Sequence, residues 1–225
     1  MKKFSYLVLF FISFYVSAQQ TITKNIGDFS TLKVYRGIQV ELIASNEQKI
    51  EISGDKVDKV TIKNSNNTLK ISLKILGLLK NGDVFVKLFY NKDIAIIDAN
   101  EGATITGKNI KQESLEVKVQ ERAFINLVIA VKYLTIKSIS GGIIKITGTS
   151  TTQTVDADLY GVYHGFGLLV KDLTKVTSGT GARVEVSPGK TLKASVSFGG
   201  TVFYKGETNL IQHKKVAGGI IQKRN

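Results

Sequence analysis

The chain reads as an all-β protein built as a β-solenoid, with coils of about 19–20 residues and irregular β-strands at its N-terminal end. Three observations predict this. Period-two alternation of apolar and polar residues recurs along the chain, and no long segment shows an apolar period of 3.6. Val, Ile, Thr, Phe and Tyr are abundant, glycine is frequent and regularly placed, and Pro188 is the single proline. A beat of 18 to 21 residues runs through the second half.

In chain order, Lys2 and Lys3 precede an apolar run, Phe4 to Val16, and Val16-Ser17-Ala18 supplies small residues for cleavage. This is the pattern of a signal peptide over residues 1–18, with a run too short for a membrane span of about 20 residues. The expected product is an exported chain, residues 19–225, forming one solenoid domain and not an integral membrane protein. Strand patterns follow at "IQVELI" (38–43), "KIEIS" (49–53), "VTIKNS" (60–65), "LKISLK" (69–74) and "VFVKLF" (84–89). "ILGLLKNG" (75–82) suits one short helical turn. "GDVFV" (82–86) reads as an earlier coil with Asp83 one period before Ala103, and "GIQVELI" from Gly37 resembles the unit too. This N-terminal β-structure is expected to cover the first end of the solenoid.

Regular coils are expected over about 91–213. Small residues anchor six units: Ala103, Ala123, Gly142, Gly161, Ala182 and Gly200. Two positions after each stand Ile105, Ile125, Ile144, Tyr163, Val184 and Val202, and six before stand Ile97, Val117, Ile136, Val155, Val176 and Ala194. Stacked one coil on the next, these columns become the core, and each strand pairs in parallel with its copy about 4.8 Å away. Glycine or alanine at the anchor suits a corner where φ is positive or space is short. The competing reading is a sandwich of hairpins. The scarcity of Asn-Gly and Asp-Gly, with Asn81-Gly82 the one instance, favours the solenoid. An outward column five before the anchors puts Asp98 over Lys118 and Lys137 over Asp156, as solvated opposite charges.

There is no cysteine, so disulfides and lipoprotein modification are excluded and burial must hold the fold. The net charge of +13, eleven once Lys2 and Lys3 are removed, suits acidic polysaccharide, lipopolysaccharide phosphates or anionic lipid heads. The lysines are scattered and form no run that tracks a phosphate backbone, so nucleic acid is not an expected partner.

Catalytic chemistry finds little support. Asp156 and Asp158, two apart on a strand, are the best carboxylate pair for glycoside chemistry, with Arg183 as a basic helper. His164 and His213, the two histidines, lack zinc-ligand spacing, and His164 falls in an outward polar column. No catalytic residue, metal site or cofactor is expected. The candidate site is instead one residue beyond the anchors, where Phe124, Ile143 and Val162 would make an exposed apolar stripe, joined by Arg183 and by Tyr160. Tyr163 and Phe166 add aromatic character nearby.

The run "FSTLKVYRGIQVELIASNEQKIEISGDKVDKVTIKNSNNTLKISLK" (29–74) resembles the opening of the head GIN domain family, described as heads of autotransporter adhesins. The units at 97–107, 117–129 and 136–148, "TSGTGARVEV" (177–186) and the ending "VAGGIIQKR" (216–224) are similar to the family's later body. "QERAF" and "LYGVY" are bulkier than the family's usual serine-glycine turns. The resemblance implies a right-handed parallel β-helix-like domain, exported into the periplasm or onto the surface of a Gram-negative bacterium. It implies a non-enzymatic, adhesin-like protein that recognises a glycan or protein of the envelope. The alternative is a polysaccharide lyase or hydrolase using the carboxylate pair.

Overall fold

The structure is a computed structural model that describes residues 21–74 and 82–225. The expected signal peptide over residues 1–18, and the helical turn expected at 75–82 apart from Gly82, lie outside the described residues. The chain is a β-solenoid, and its two strand ladders share one interior.

Four long bent strands form the regular body: β9 (Thr104–Val119), β10 (Phe124–Ser138), β11 (Ile143–Ala157) and β12 (Val162–Ser178). Each pairs in parallel with the next, so that Ile105, Ile125, Ile144 and Tyr163 fall in register. The first half of each strand lies on one face of the coil and the second half on another. The bend between them shows as a skip in the buried alternation: in β10, Ile125, Leu127, Ile129 and Val131 point in, and the series resumes at Leu134 and Ile136. Beyond β12 the faces continue as separate strands. β13 (Arg183–Ser187), β15 (Thr201–Tyr204) and β17 (Ile220–Lys223) extend the first face, and β14 (Thr191–Ser197) and β16 (Leu210–Val216) the second.

Each coil turns from second face to first through a tight corner. The anchor N–H donates to the carbonyl three residues earlier: Ala103 to Asn100, Ala123 to Gln120, Gly142 to Ile139, Gly161 to Asp158, Ala182 to Gly179 and Gly200 to Ser197. At five of these six corners both residues between have positive φ, as at Glu101 and Gly102, Glu121 and Arg122, or Leu159 and Tyr160; before Ala182 only Gly181 does. The geometry is that of a two-residue hairpin turn of the primed type, but its arms lead to different faces. The anchor itself is small because space is short: a Cβ on Gly161 would stand 1.9 Å from the Ser138 carbonyl oxygen, and one on Gly200 2.2 Å from that of Ser178. Of the two reasons for small anchors, the space belongs to the anchor and the positive φ to its predecessors. The same corner recurs at Gly219, after Ala217 and Gly218 at positive φ, a seventh beyond the six in the repeat.

The N-terminal part is not a simple first coil. β2 (Thr31–Val34) and β3 (Gln39–Ala44) match the body, with Gln39 in register with Thr104, so the likeness of "GIQVELI" to the unit is real. The chain then departs through β4 (Lys49–Gly54), a 3-10 turn at Val57–Lys59 and β5 (Val60–Ser65). It returns as β6 (Thr68–Leu73) and β7 (Val84–Tyr90), which stack on the far side of β2 and β3. β8 (Ile96–Ala99) then pairs with the near side of β2 and leads into β9. The coil made first is thus sandwiched between two made later. Phe85 pairs with Gln39, so Val84 occupies the anchor frame rather than Asp83, and the whole β2–β3 coil separates it from Ala103.

The outer strands at this end run antiparallel: β4 against β7, β1 (Ile22–Asn25) against β4, and β5 against β6. Asn66 and Asn67, both at positive φ, close a true hairpin between β5 and β6, the one place where the turn chemistry of a hairpin is used as such among the described residues.

The interior is aliphatic, with Leu32, Ile38, Ile71, Leu88, Ile97, Ile105, Ile125 and Ile136 fully buried. Burying each such side chain contributes about 1.5–3 kcal/mol before entropy is counted. Tyr163 is the exception in size. Its hydroxyl donates to Gln153 Oε1 at 3.1 Å, and Gln153 Nε2 donates to Thr174 Oγ1 at 3.3 Å. Gly165 makes room for its ring, since a Cβ there would lie 2.5 Å from it. Burial pushes the Tyr163 phenol well above its usual range.

Candidate binding surface

On the first face, register alone sets the outward columns. One residue beyond the corners, Thr104, Phe124, Ile143, Val162, Arg183, Thr201 and Ile220 stand side by side on successive rungs. Phe124 and Val162 are half-buried, while Ile143 is 37 % and Ile220 50 % exposed. The structure therefore brings Phe124, Ile143, Val162 and Arg183 together as neighbours.

Tyr160 sits on the adjoining corner and is 69 % exposed. It occupies the second position of its turn at φ 64°, directly after Leu159 at φ 48°, and its N–H donates to the Thr180 carbonyl of the next corner. Its ring lies across Gly181, where an added Cβ would meet it at 2.6 Å. One corner further, Phe198 is 66 % exposed at φ 46°. Left-handed backbone costs a bulky L-residue roughly 1–2 kcal/mol, and most corners here use Gly, Glu, Ser or Arg instead. Of the other aromatics, Tyr163 faces the core and is no part of the surface, and Phe166 is half-buried beneath the Lys205 ammonium, 4.9 Å from its ring centroid.

Beside the stripe lies a cluster of charged and aromatic side chains drawn from three adjacent rungs. His164 is in register with Glu185, and Glu185 with Phe203. Glu185 accepts from Arg183 Nη2 at 2.6 Å and Nε at 3.2 Å, and lies 2.8 Å from His164 Nδ1. Burial pushes the Glu185 carboxyl up, but the hydrogen bonds and charges of His164 and Arg183 outweigh it and hold it below the usual carboxylate range. The Arg183 and Arg224 guanidiniums flank the Phe203 ring, at 5.1 and 4.1 Å from its centroid. A hollow of about 380 Å³ opens between Lys145, Thr147, His164, Phe166 and Glu185. The signal that could have found the cluster was present: His164 and Glu185 fall in one column on adjacent coils.

The carboxylate pair does not assemble. Asp156 is exposed on the second face, in register with Lys137. Asp158 begins the corner, and its Oδ1 accepts from Leu159 N–H at 2.8 Å and Thr180 N–H at 2.7 Å. Arg183 is on the first face, engaged with Glu185. The charge column has the predicted register, Asp98 beside Lys118 and Lys137 beside Asp156, and Lys137 and Asp156 are exposed as expected, but Asp98 is not, and the ion pairs form elsewhere. Asp98 is buried, accepts from Asn100 Nδ2 at 3.0 Å and pairs with Lys33 at 3.7 Å. Lys118 and Lys137 both reach Glu116, at 3.4 and 2.9 Å. Among the described residues no three His, Cys, Asp or Glu side chains converge as metal ligands, and no helix is long and apolar enough to cross a membrane.

Residues 28–208 match the family described as "Putative auto-transporter adhesin, head GIN domain". No curated protein matches. Among solved structures, a "putative adhesin" from Bacteroides fragilis NCTC 9343 superposes with a TM-score of 0.81 at 14 % identity, covering 92 % of this chain and 98 % of that one. A "putative lipid binding protein" from Parabacteroides distasonis ATCC 8503 gives 0.68 at 16 % identity, covering 93 % and 98 %. A "putative adhesin" from Parabacteroides merdae ATCC 43184 gives 0.64 at 20 % identity, with the same coverage. At these identities the likeness is one of fold.

Proposed function

The chain belongs to the head GIN domain family, and on that premise we propose that it is an exported, non-enzymatic, adhesin-like head that holds a glycan or protein of the bacterial envelope. It works in the periplasm or at the surface of a Gram-negative cell. The N-terminal run 1–18 is the export signal, and the basic excess draws acidic polysaccharide or lipopolysaccharide toward the chain. Phe124, Ile143 and Val162 form the contact strip, Tyr160 the aromatic platform at its rim and Arg183 the polar anchor.

The observation that carries this reading is a pair of corners beside the strip. Leu159, Tyr160 and Phe198 hold large apolar side chains in the open on left-handed backbone, where glycine would be more stable and more soluble. Local strain of this kind persists where a function selects it, and an aromatic ring laid flat over a glycine offers a ready face to a sugar ring or an apolar side chain.

The test is a retention screen of the exported chain against an array of envelope glycans and an immobilised envelope-protein extract, with Ile143→Asp and Tyr160→Ala as partners. Wild type is retained by a defined component, and each variant weakens that retention about tenfold, as loss of a central contact does. Retention unchanged in both variants would sink the assignment.

A further inference from the structure

We propose that the C-terminal half of the second face seats a linear polyanionic glycan, with Lys175, Lys193 and Lys214 as its anion contacts. This deepens the reading above, since it takes the partner to be a glycan, and it adds the partner's chemistry and a second place where it binds.

Two adjacent outward columns run the length of that face. In their N-terminal half the lysines are answered by acids: Lys33 by Asp98, and Lys118 and Lys137 by Glu116. In the C-terminal half the same columns hold Lys175 in register with Lys193, and Lys214 in register with Ser195. All three lysines are exposed, and none forms an ion pair among the described residues. The one acid beside them is Asp156, on the rung before Thr177 and diagonal to Lys175; Lys193 and Lys214 have none among the described residues. From residue 159 onward the acids are Asp172, Glu185 and Glu207, and each is already paired, with Lys190 at 2.9 Å, Arg183 at 2.6 Å and Lys223 at 2.6 Å.

Like charges directly opposite each other across a ladder destabilise it. The Lys175–Lys193 neighbours are therefore a standing cost that a bound anion would remove. Between the lysines the side chains are short. Thr177, Ser195 and Ala194 floor a shallow depression of about 260 Å³, with two hydroxyls that can donate to an anionic oxygen. The ammoniums are strung over three rungs, about 4.8 Å apart along the solenoid axis, and the depression is open at its sides. A single small anion would be met by one or two of them. A polymer lying along the axis, with carboxylate, sulfate or phosphate at intervals, meets all three.

The test compares two triple variants of the whole chain with equal change in charge. One is Lys175→Gln, Lys193→Gln and Lys214→Gln; the other is Lys33→Gln, Lys118→Gln and Lys137→Gln. Binding to polygalacturonate and heparin is measured against neutral dextran and phosphatidylglycerol vesicles, with circular dichroism as the folding check. Wild type binds both anionic polymers, salt weakens the binding, and the first triple loses at least about tenfold where the second loses less than about threefold. Equal losses in the two triples mean diffuse charge and overturn the proposal, as does binding to vesicles alone. An Ile143→Asp chain that still binds polygalacturonate and is retained in the envelope screen as well as wild type leaves this site standing and the first-face strip refuted. Loss of polymer binding in Ile143→Asp but not in the first triple overturns the lysine site.

Discussion

The two ends of the solenoid are built on opposite plans. At the N-terminal end the chain doubles back: β6 and β7 stack outside β2 and β3, and β4 and β5 then close the ladders antiparallel. Ile50 and Ile52 of β4 are buried there. At the C-terminal end β16 and β17 pair on one side with β14 and β15 and are the last strands of their ladders. Lys215, in register with the buried Val196, and Lys223, in register with Tyr204, are exposed. One end covers its edge with more strand, and the other guards it with charge. Both are recognised remedies for an unpaired edge, and the difference teaches that stability here is concentrated at the N-terminal end while access is left at the other.

The sharpest way to break that comparison is to remove apolar volume from each end. Leu32 is fully buried in the sandwiched coil, and Leu32→Ala should cost about 3 kcal/mol. Ile221 in the last rung is only partly buried, and Ile221→Ala should cost less than about 1 kcal/mol. Urea titration of both decides it; equal costs would mean that the last coil is as integral as the second.

A smaller effect is expected from two glycines, both at positive φ. At Gly54, φ +115°, a Cβ would stand 2.3 Å from the Asp83 carbonyl oxygen, whereas at Gly218, φ +85°, nothing lies within 4 Å. Gly54→Ala therefore combines strain with a backbone clash, at about 2 kcal/mol or more, and Gly218→Ala carries only strain, at about 1 kcal/mol or less. Melting temperatures of the two variants should fall in that order.

The smallest effect sharpens the picture at the open half. The Glu185 carboxyl lies below the ordinary 4.5 when folded, because Arg183 and His164 outweigh its burial. Its contribution is thus fully present above the ordinary value and fades as pH falls through the depressed one. Glu185→Gln should lower stability near neutrality by about 1 kcal/mol or less and flatten the acid side of the stability–pH curve. Parallel curves for wild type and variant would show that the cluster is not an electrostatic clasp.

The body of the solenoid was legible because every coil repeats its constraints. The columns through Ile105 and Ile136 are buried in the frame that the repeat dictates. The N-terminal end was legible only as β-structure. Its register depends on pairings between segments distant in sequence, so a period counted backward from Ala103 lands on Asp83, one residue off Val84 and on the wrong side of an intervening coil. At the surface, alternation gave the direction of Phe124, Ile143 and Val162, because direction follows from period two. It could not give the choice of partner among several within reach. Asp98 took Asn100 and Lys33 rather than solvent, and Asp158 took two backbone N–H groups.

The sandwiched coil also sets a timetable. A chain delivered N-terminus first presents β2 long before β6 and β8, its two neighbours, have arrived. Until Ala99 is out, the first coil is a socket with at most one of its two plugs in place, and the coils beyond it lack a finished template. Assembly of the whole column therefore waits on the segment around Ile94 to Asn100, and slow loop closure there, rather than the rapid stacking of later coils, would set the pace of maturation.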